Sequence, residues 1–171
     1  MASEWLNTCV SQHKACGEER DTAFLPNRLV EVNEVEGQLQ PRLVSTSDWS
    51  ADMRGLNYFA LSYCWGTGRG KTVAKTTRDT LLPFHDGISM EALPKTFRDA
   101  MQVVRSLGYS YIWIDSLCIV QDDPDDFGRE CIQMGKIYAN SISTISVSGP
   151  GTEAHINRSN SDYIGCVLAR R

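Results

Sequence analysis

Apolar and polar positions change their period several times along the chain, and each change marks an element. Trp5, Cys9, His13 and Cys16 recur at helical spacing and predict a helix over residues 3–16. Two strand-like runs follow at 28–32 (RLVEV) and 41–45 (PRLVS), with a turn at Glu36, Gly37 and Gln38. Residues 58–65 (YFALSYCW) are apolar on both faces, the pattern of a strand covered on both sides. A short helix is expected near 78–84. A longer one is expected over 95–107, where Phe97, Ala100, Met101, Val104 and Leu107 follow the i, i+3, i+4, i+7 rule. Thr96 and Asp99 resemble a capping box for that helix, and Gly108 is a natural stop.

Residues 111–119 (YIWIDSLCI) read as a second buried strand running into a loop. The acidic turn 121–126 can start a helix at about 125 that runs to about 140, with its aspartates favoured by the helix dipole. Residues 141–148 (SISTISVS) form the third strand, ended by Gly149-Pro150-Gly151. Strand, helix, strand, helix, strand in that order implies a parallel sheet with right-handed crossovers. The expected organisation is an N-terminal helix and hairpin over 1–57, a core over 58–150 and a tail over 151–171.

Composition narrows the picture. The chain has 171 residues, 42% hydrophobic and 22% charged, enough for one good core. A net charge of −4 gives no electrostatic case for nucleic acid. No apolar run approaches the ~18 residues of a membrane span. The start lacks the basic and apolar parts of a secretory signal. Six dispersed cysteines without a Cys-x-x-Cys pair fit free thiols in a reducing cytoplasm.

The glycine-rich stretch 65–72 (WGTGRGKT) looks like a phosphate cradle and fails on spacing. A P-loop needs its first glycine at Trp65, and G-x-G-x-x-G would need one at Lys71. A mobile basic loop is the expectation. Cys9, His13 and Cys16 offer three zinc ligands on one stripe. A closed site needs four, and Trp5 extends the stripe as core, so no metal is expected.

Residues 58–66 (YFALSYCWG), 93–100 (LPKTFRDA) with Leu107-Gly108, and 111–121 (YIWIDSLCIVQ) continuing to Asp126, Glu130, Met134 and Tyr138 resemble the fungal heterokaryon incompatibility (HET) domain. The resemblance implies a role in fungal non-self recognition and programmed cell death, through self-association or partner binding. It also implies an α/β fold related to TIR domains. That fold is a flavodoxin/TIR-like three-layer sandwich with a mainly parallel central sheet, here extended by the N-terminal helix and short hairpin. Some TIR domains cleave NAD with a glutamate, so an NAD+ nucleosidase activity is the alternative function, with NAD as substrate and no resident cofactor.

Glu130 is the first catalytic candidate. It lies within the arc of Phe127, Cys131, Met134, Tyr138 and Ile137, where partial desolvation raises a carboxyl pKa and suits it to a developing oxocarbenium ion. Its other reading is a structural ion pair with Arg98 or Arg105. Glu153 is the second candidate. In catalytic TIR domains the glutamate follows the third core strand, and Glu153 is the residue in that position. Ser62, Trp65 and Asp115 leave the first two core strands at the edge where open α/β sheets gather ligands. Trp65 either stacks on a base or is core. Asp115 either binds a ribose hydroxyl or caps the following loop.

Overall fold

The computed structural model describes residues 4, 6, 8, 12, 20, 21, 24–47, 49, 56–63 and 74–147. Its centre is one five-stranded sheet in the order β2-β1-β4-β3-β5. The strands are β1 (Arg28–Val35), β2 (Gln38–Ser45), β3 (Phe59–Ser62), β4 (Tyr111–Trp113) and β5 (Ser143–Ser146). The helices are α1 (Arg78–Asp86), α2 (Lys95–Ser106), α3 (Asp115–Cys118) and α4 (Pro124–Asn140), with a 3-10 turn at Met90–Ala92. Near the N-terminus Glu4, Leu6, Thr8 and Gln12 are helical, as the stripe predicts, and Leu6 is buried.

The three core strands run parallel, as their apolar patterns require. Phe59 pairs with Ile112 and Ala60 with Trp113, while Ser62 pairs with Ser146 on the other side. β3 therefore lies between β4 and β5. The chain crosses the sheet one way through α1 and α2, and back through α4. Helices flank an open sheet.

The expectation of a mainly parallel sheet with a separate hairpin needs correction. The hairpin belongs to the same sheet, because Val30 and Glu31 pair antiparallel with Ile112 and Tyr111. The sheet is thus mixed. Leu29, Val30 and Val32 of β1 and Leu43 of β2 are buried, so the hairpin shares the core instead of resting on it. Its two-residue turn has positive φ at both Glu36 and Gly37, 51° and 76°, as a hairpin of right-handed twist demands.

Two local expectations also change. Thr96 and Asp99 form no capping box. The N-cap of α2 is Pro94, Thr96 is buried, and Asp99 pairs with Lys95 at 2.5 Å. The 111–119 run breaks after β4 into the one-turn helix α3, since the Cys118 and Leu117 N–H groups turn back to Ile114 O. Elsewhere α2 buries the stripe Phe97, Ala100, Met101 and Val104, and Gly108 ends it at φ 87°. Asp123 caps α4, accepting from the Asp125 and Asp126 N–H groups at 3.1 and 3.2 Å.

Ile112 pairs with both neighbours of β4 and is fully buried. Ile112→Ala should lower the unfolding free energy by about 2–5 kcal/mol in urea titrations. A loss under about 1 kcal/mol would mean that the hairpin and core do not share one packed layer.

Candidate functional site

The carboxyl ends of β3, β4 and β5 define one edge of the sheet. Ser62 closes β3 there, and its carbonyl accepts the Val147 N–H at 2.9 Å as the chain leaves β5. Ser62 ends β3, and the neighbouring parallel strand β4 passes through Ile114 into α3 at Asp115, so both residues leave the sheet at this edge. The antiparallel pairing of Val30 with Ile112 brings the hairpin's first residues to the same edge, where Arg28 reaches the carbonyl of Cys118. Segments distant in sequence thus meet at this edge.

Glu130 lies on this side of the molecule, and its environment is specific. It is 1% exposed, and its Oε1 accepts from Asn27 Nδ2 at 2.6 Å and lies 3.9 Å from Arg28. One turn earlier, Asp126 accepts from Arg28 and from the Val120 N–H at 2.9 Å. The Arg28 Nε donates to Cys118 O at 2.7 Å. The ion partner of Glu130 is therefore Arg28, in place of the expected Arg98 or Arg105. The buried stripe of α4 is Asp126, Glu130 and Ile137, while Phe127 and Cys131, expected inside, face solvent. The helix is rotated from its apolar arc because two carboxylates have fixed donors waiting inside.

Burial raises the Glu130 carboxyl above its ordinary 4.5, against the Asn27 bond and the Arg28 charge, with Asp126 adding to the rise. For Asp126 burial acts in the same direction, yet the Arg28 bond and the Val120 N–H outweigh it and hold the group below 3.8. Burial also pushes the Cys118 thiol up to about 12, with Arg28, Glu130 and Asp115 all in electrostatic reach of it. A thiol so protonated is not a nucleophile.

Asp115 is half-buried at the exit of β4. Its Oδ1 accepts the N–H of the next residue, Ser116, at 2.6 Å. Beside it, burial lifts the Tyr63 hydroxyl pKa well above the tyrosine range, the Asp115 charge adds to the rise, and the Ser116 hydroxyl opposes it. Tyr138 rises to about 12 through burial and the same Asp115 charge, and its hydroxyl donates to Leu61 O at 3.2 Å. Sequence reasoning missed Asn27, Arg28, Tyr63, Ser116 and Asp126. Only Asp126 had a usable signal, as a carboxylate one helical turn from Glu130.

Trp65 and Glu153, the glycine stretch, and Cys9, His13 and Cys16 lie outside the described residues. Among the described residues no group of three or more His, Cys, Asp or Glu is arranged to hold a metal. No helix among them is long and apolar enough to cross a membrane. A groove of about 1250 Å³ lies elsewhere, between the hairpin and residues 86–102, lined by Arg42, Lys95, Arg98 and Glu91 among others. None of Ser62, Asp115 and Glu130 lines it.

The raised Glu130 and lowered Asp126 act on stability with opposite signs. The folded chain holds a proton at Glu130 more tightly than the unfolded chain. That stabilisation is full below pH 4.5 and is lost as pH rises through the raised value. The Asp126 contribution is present above pH 3.8 and is lost as pH falls through its lowered value. In urea unfolding across pH, Glu130→Gln should remove the decline above pH 4.5 and keep the acid loss below 3.8. An unchanged decline refutes this assignment. Arg28→Ala removes the cation shared by two buried carboxylates, leaving Asp126 with Arg129 at 3.5 Å and Glu130 with Asn27, and should cost about 3–5 kcal/mol at neutral pH.

A comparison with family models matches residues 58–164 to the family described as Heterokaryon incompatibility protein (HET). No curated protein and no solved structure matches the chain. The match takes in all three parallel strands, α1 to α4 and the edge where Ser62, Asp115 and Glu130 lie. The chain belongs to the heterokaryon incompatibility (HET) family.

Proposed function

We propose that this chain is a signalling module of fungal non-self recognition and programmed cell death, acting in the cytoplasm by self-association or partner binding. Family membership over residues 58–164 carries the proposal. The surface supports it. Leu82 on α1 and Ile132 on α4 are 75% and 87% exposed, apolar side chains of the kind that an assembly covers. The finer fold reading is a flavodoxin/TIR-like three-layer sandwich. The two crossovers, β3 to β4 and β4 to β5, run in opposite directions along the sheet, and right-handed connections then put α2 and α4 on opposite faces. The family core of that unit is 58–150, its sheet completed by the β1–β2 hairpin of the N-terminal segment 1–57, with 151–171 as tail.

A second reading is supported by Ser62 and Asp115 leaving neighbouring parallel strands at the carboxyl edge, with the hydrogen-bonded Asn27 and Glu130 at the start of β1. In it the domain binds NAD there and hydrolyses the nicotinamide bond, and death follows from NAD depletion. Ser62, Trp65 and Asp115 hold the substrate. Either Glu130 or Glu153 faces the developing oxocarbenium ion. Glu153 follows the third parallel strand in the chain, and Glu130 is already held by Asn27 and Arg28. These facts favour Glu153 as the carboxylate and Glu130 as the group that positions the edge.

Light scattering over a concentration series tests the assembly reading. The mass should rise with concentration and fall to that of one chain in Ile132→Glu. A chain that stays monomeric while still killing cells overturns it. Nicotinamide release from NAD tests the second reading. Glu153→Gln should abolish release, and Glu130→Gln should reduce it only in part. Equal release by wild type and both variants overturns the enzymatic assignment.

A further inference from the structure

Buried polar atoms in native proteins nearly all have partners, and each exception requires an explanation. Two such exceptions are neighbours here. The Tyr63 hydroxyl and Ser116 Oγ are both buried and make no hydrogen bond among the described residues. β3 and β4 pair in parallel, Phe59 with Ile112 and Ala60 with Trp113, so Tyr63 and Ser116 follow neighbouring strands at the same edge. The Ser116 hydroxyl and the Asp115 carboxylate both lie close enough to act on the Tyr63 hydroxyl, in opposite directions, while neither hydroxyl makes a full hydrogen bond among the described residues.

Neither group is loose. The Tyr63 ring packs edge-on against Phe97 at 4.9 Å and 82°. Ser116 is fully buried, its N–H donates to Asp115 Oδ1 at 2.6 Å and its carbonyl accepts from the Thr76 N–H at 2.9 Å. Thr76 Oγ1 also donates to Leu117 O at 2.5 Å, pinning the same turn. The backbone of Ser116 is thus fully committed and its hydroxyl is the one unspent group. Tyr63 and Asp115 are half-buried, so the side chains around the two sealed hydroxyls reach the surface although the hydroxyls themselves do not. Hydroxyls held rigidly by packing and second contacts are how proteins build polar subsites.

We propose that Tyr63 and Ser116, with Asp115 beside them, form a subsite for the vicinal hydroxyls of a pentose. Each side-chain hydroxyl both donates and accepts, and the carboxylate accepts, which matches two adjacent ligand hydroxyls. The half-buried Tyr63 ring, braced from within by the buried Phe97, supplies the apolar surface that a sugar face packs on. The inference deepens the NAD reading of this edge and rests on it for the ligand, but not on hydrolysis. It is independent of the assembly reading.

The probes are NAD, adenosine, 2′-deoxyadenosine and D-ribose, titrated calorimetrically into the full chain, with melting curves of the ligand-free protein. Wild type should bind adenosine about five-fold more tightly than 2′-deoxyadenosine, the worth of one neutral hydrogen bond. That ratio should collapse towards one in Tyr63→Phe and in Ser116→Ala. Both ligand-free variants should melt at or above the wild-type temperature, because each loses a buried group that has no partner. Binding of D-ribose alone supports the subsite with a free sugar as its occupant. NAD binding without nicotinamide release supports the subsite and overturns hydrolysis. Nicotinamide release that is unaltered in both variants overturns the subsite and leaves hydrolysis standing. Folded wild type that binds none of the probes, or an adenosine preference unchanged in both variants, overturns the subsite outright. So does a fall in the ligand-free melting temperature of both variants, which would show hydroxyls already satisfied in a structural role.

Discussion

Arg28 joins three parts of the molecule that are far apart in sequence. Its guanidinium binds the carbonyl of Cys118 just past β4, the carboxylate of Asp126 on α4, and lies near Glu130 one turn further on. Charges taken out of water are tolerated only when paired and hydrogen-bonded. The arrangement therefore dictates much around it. β1 must run beside β4 so that its first residue reaches the edge, and α4 must turn its acidic stripe inward. Asn27 completes the set by donating to Glu130. The edge of the parallel strands is rigid because this ion cluster fixes one side of it.

Much of the frame was legible in the chain. The long helices α2 and α4 and the parallel run of β3, β4 and β5 follow from apolar period and order alone, which are local properties. What was not legible depends on partners far along the chain. The pairing of β1 with β4 has no local signature, so the hairpin read as an appendage. The same gap explains α4. Its apolar arc predicted Phe127 and Cys131 inside, and the buried face holds Asp126 and Glu130 because Arg28, Asn27 and the Val120 N–H wait there. Glu130 was legible as a desolvated carboxyl, and the direction of its pKa shift agrees. The identity of its cation was not. Tyr63 and Ser116 carried no signal, since an unpartnered hydroxyl is a property of packing and not of spacing.

Two kinds of polar group therefore share this edge. On the β1 side the carboxylates are saturated with donors and sealed, Glu130 to 1% exposure. On the β3 side Tyr63 and Ser116 are fixed in place with hydroxyls unused. Saturated buried networks hold structure, because every change to them leaves a charge or a bond unmet. Unsaturated rigid groups lower stability in the free state and bring specificity when something binds. The division locates structural cost at Arg28, Asp126 and Glu130, and chemical opportunity one strand away, near Ser62 and Asp115. A carboxylate engaged by both Asn27 and Arg28 is poorly placed to exchange partners during a reaction, whatever its pKa.

The same sheet restricts how copies of the chain can meet. An exposed edge strand offers free N–H and C=O groups to another chain. β2 lies at one edge of the sheet, and Pro41 sits in its middle with no N–H to give. The Pro41 carbonyl is already taken by the Ile88 N–H at 2.8 Å, as the chain between α1 and α2 passes along that edge. Strand addition at β2 would have to break this contact and tolerate a missing donor. Among the described residues, the large apolar side chains left in water are Val35 at the hairpin tip, Leu82 on α1, and Phe127 and Ile132 on α4. Three of these four project from helices. Association on the hairpin side of the described domain is thus better served by helix packing than by extension of the sheet at β2. Helix surfaces leave the ion cluster and the carboxyl edge untouched, so assembly and ligand binding need not compete for the same residues.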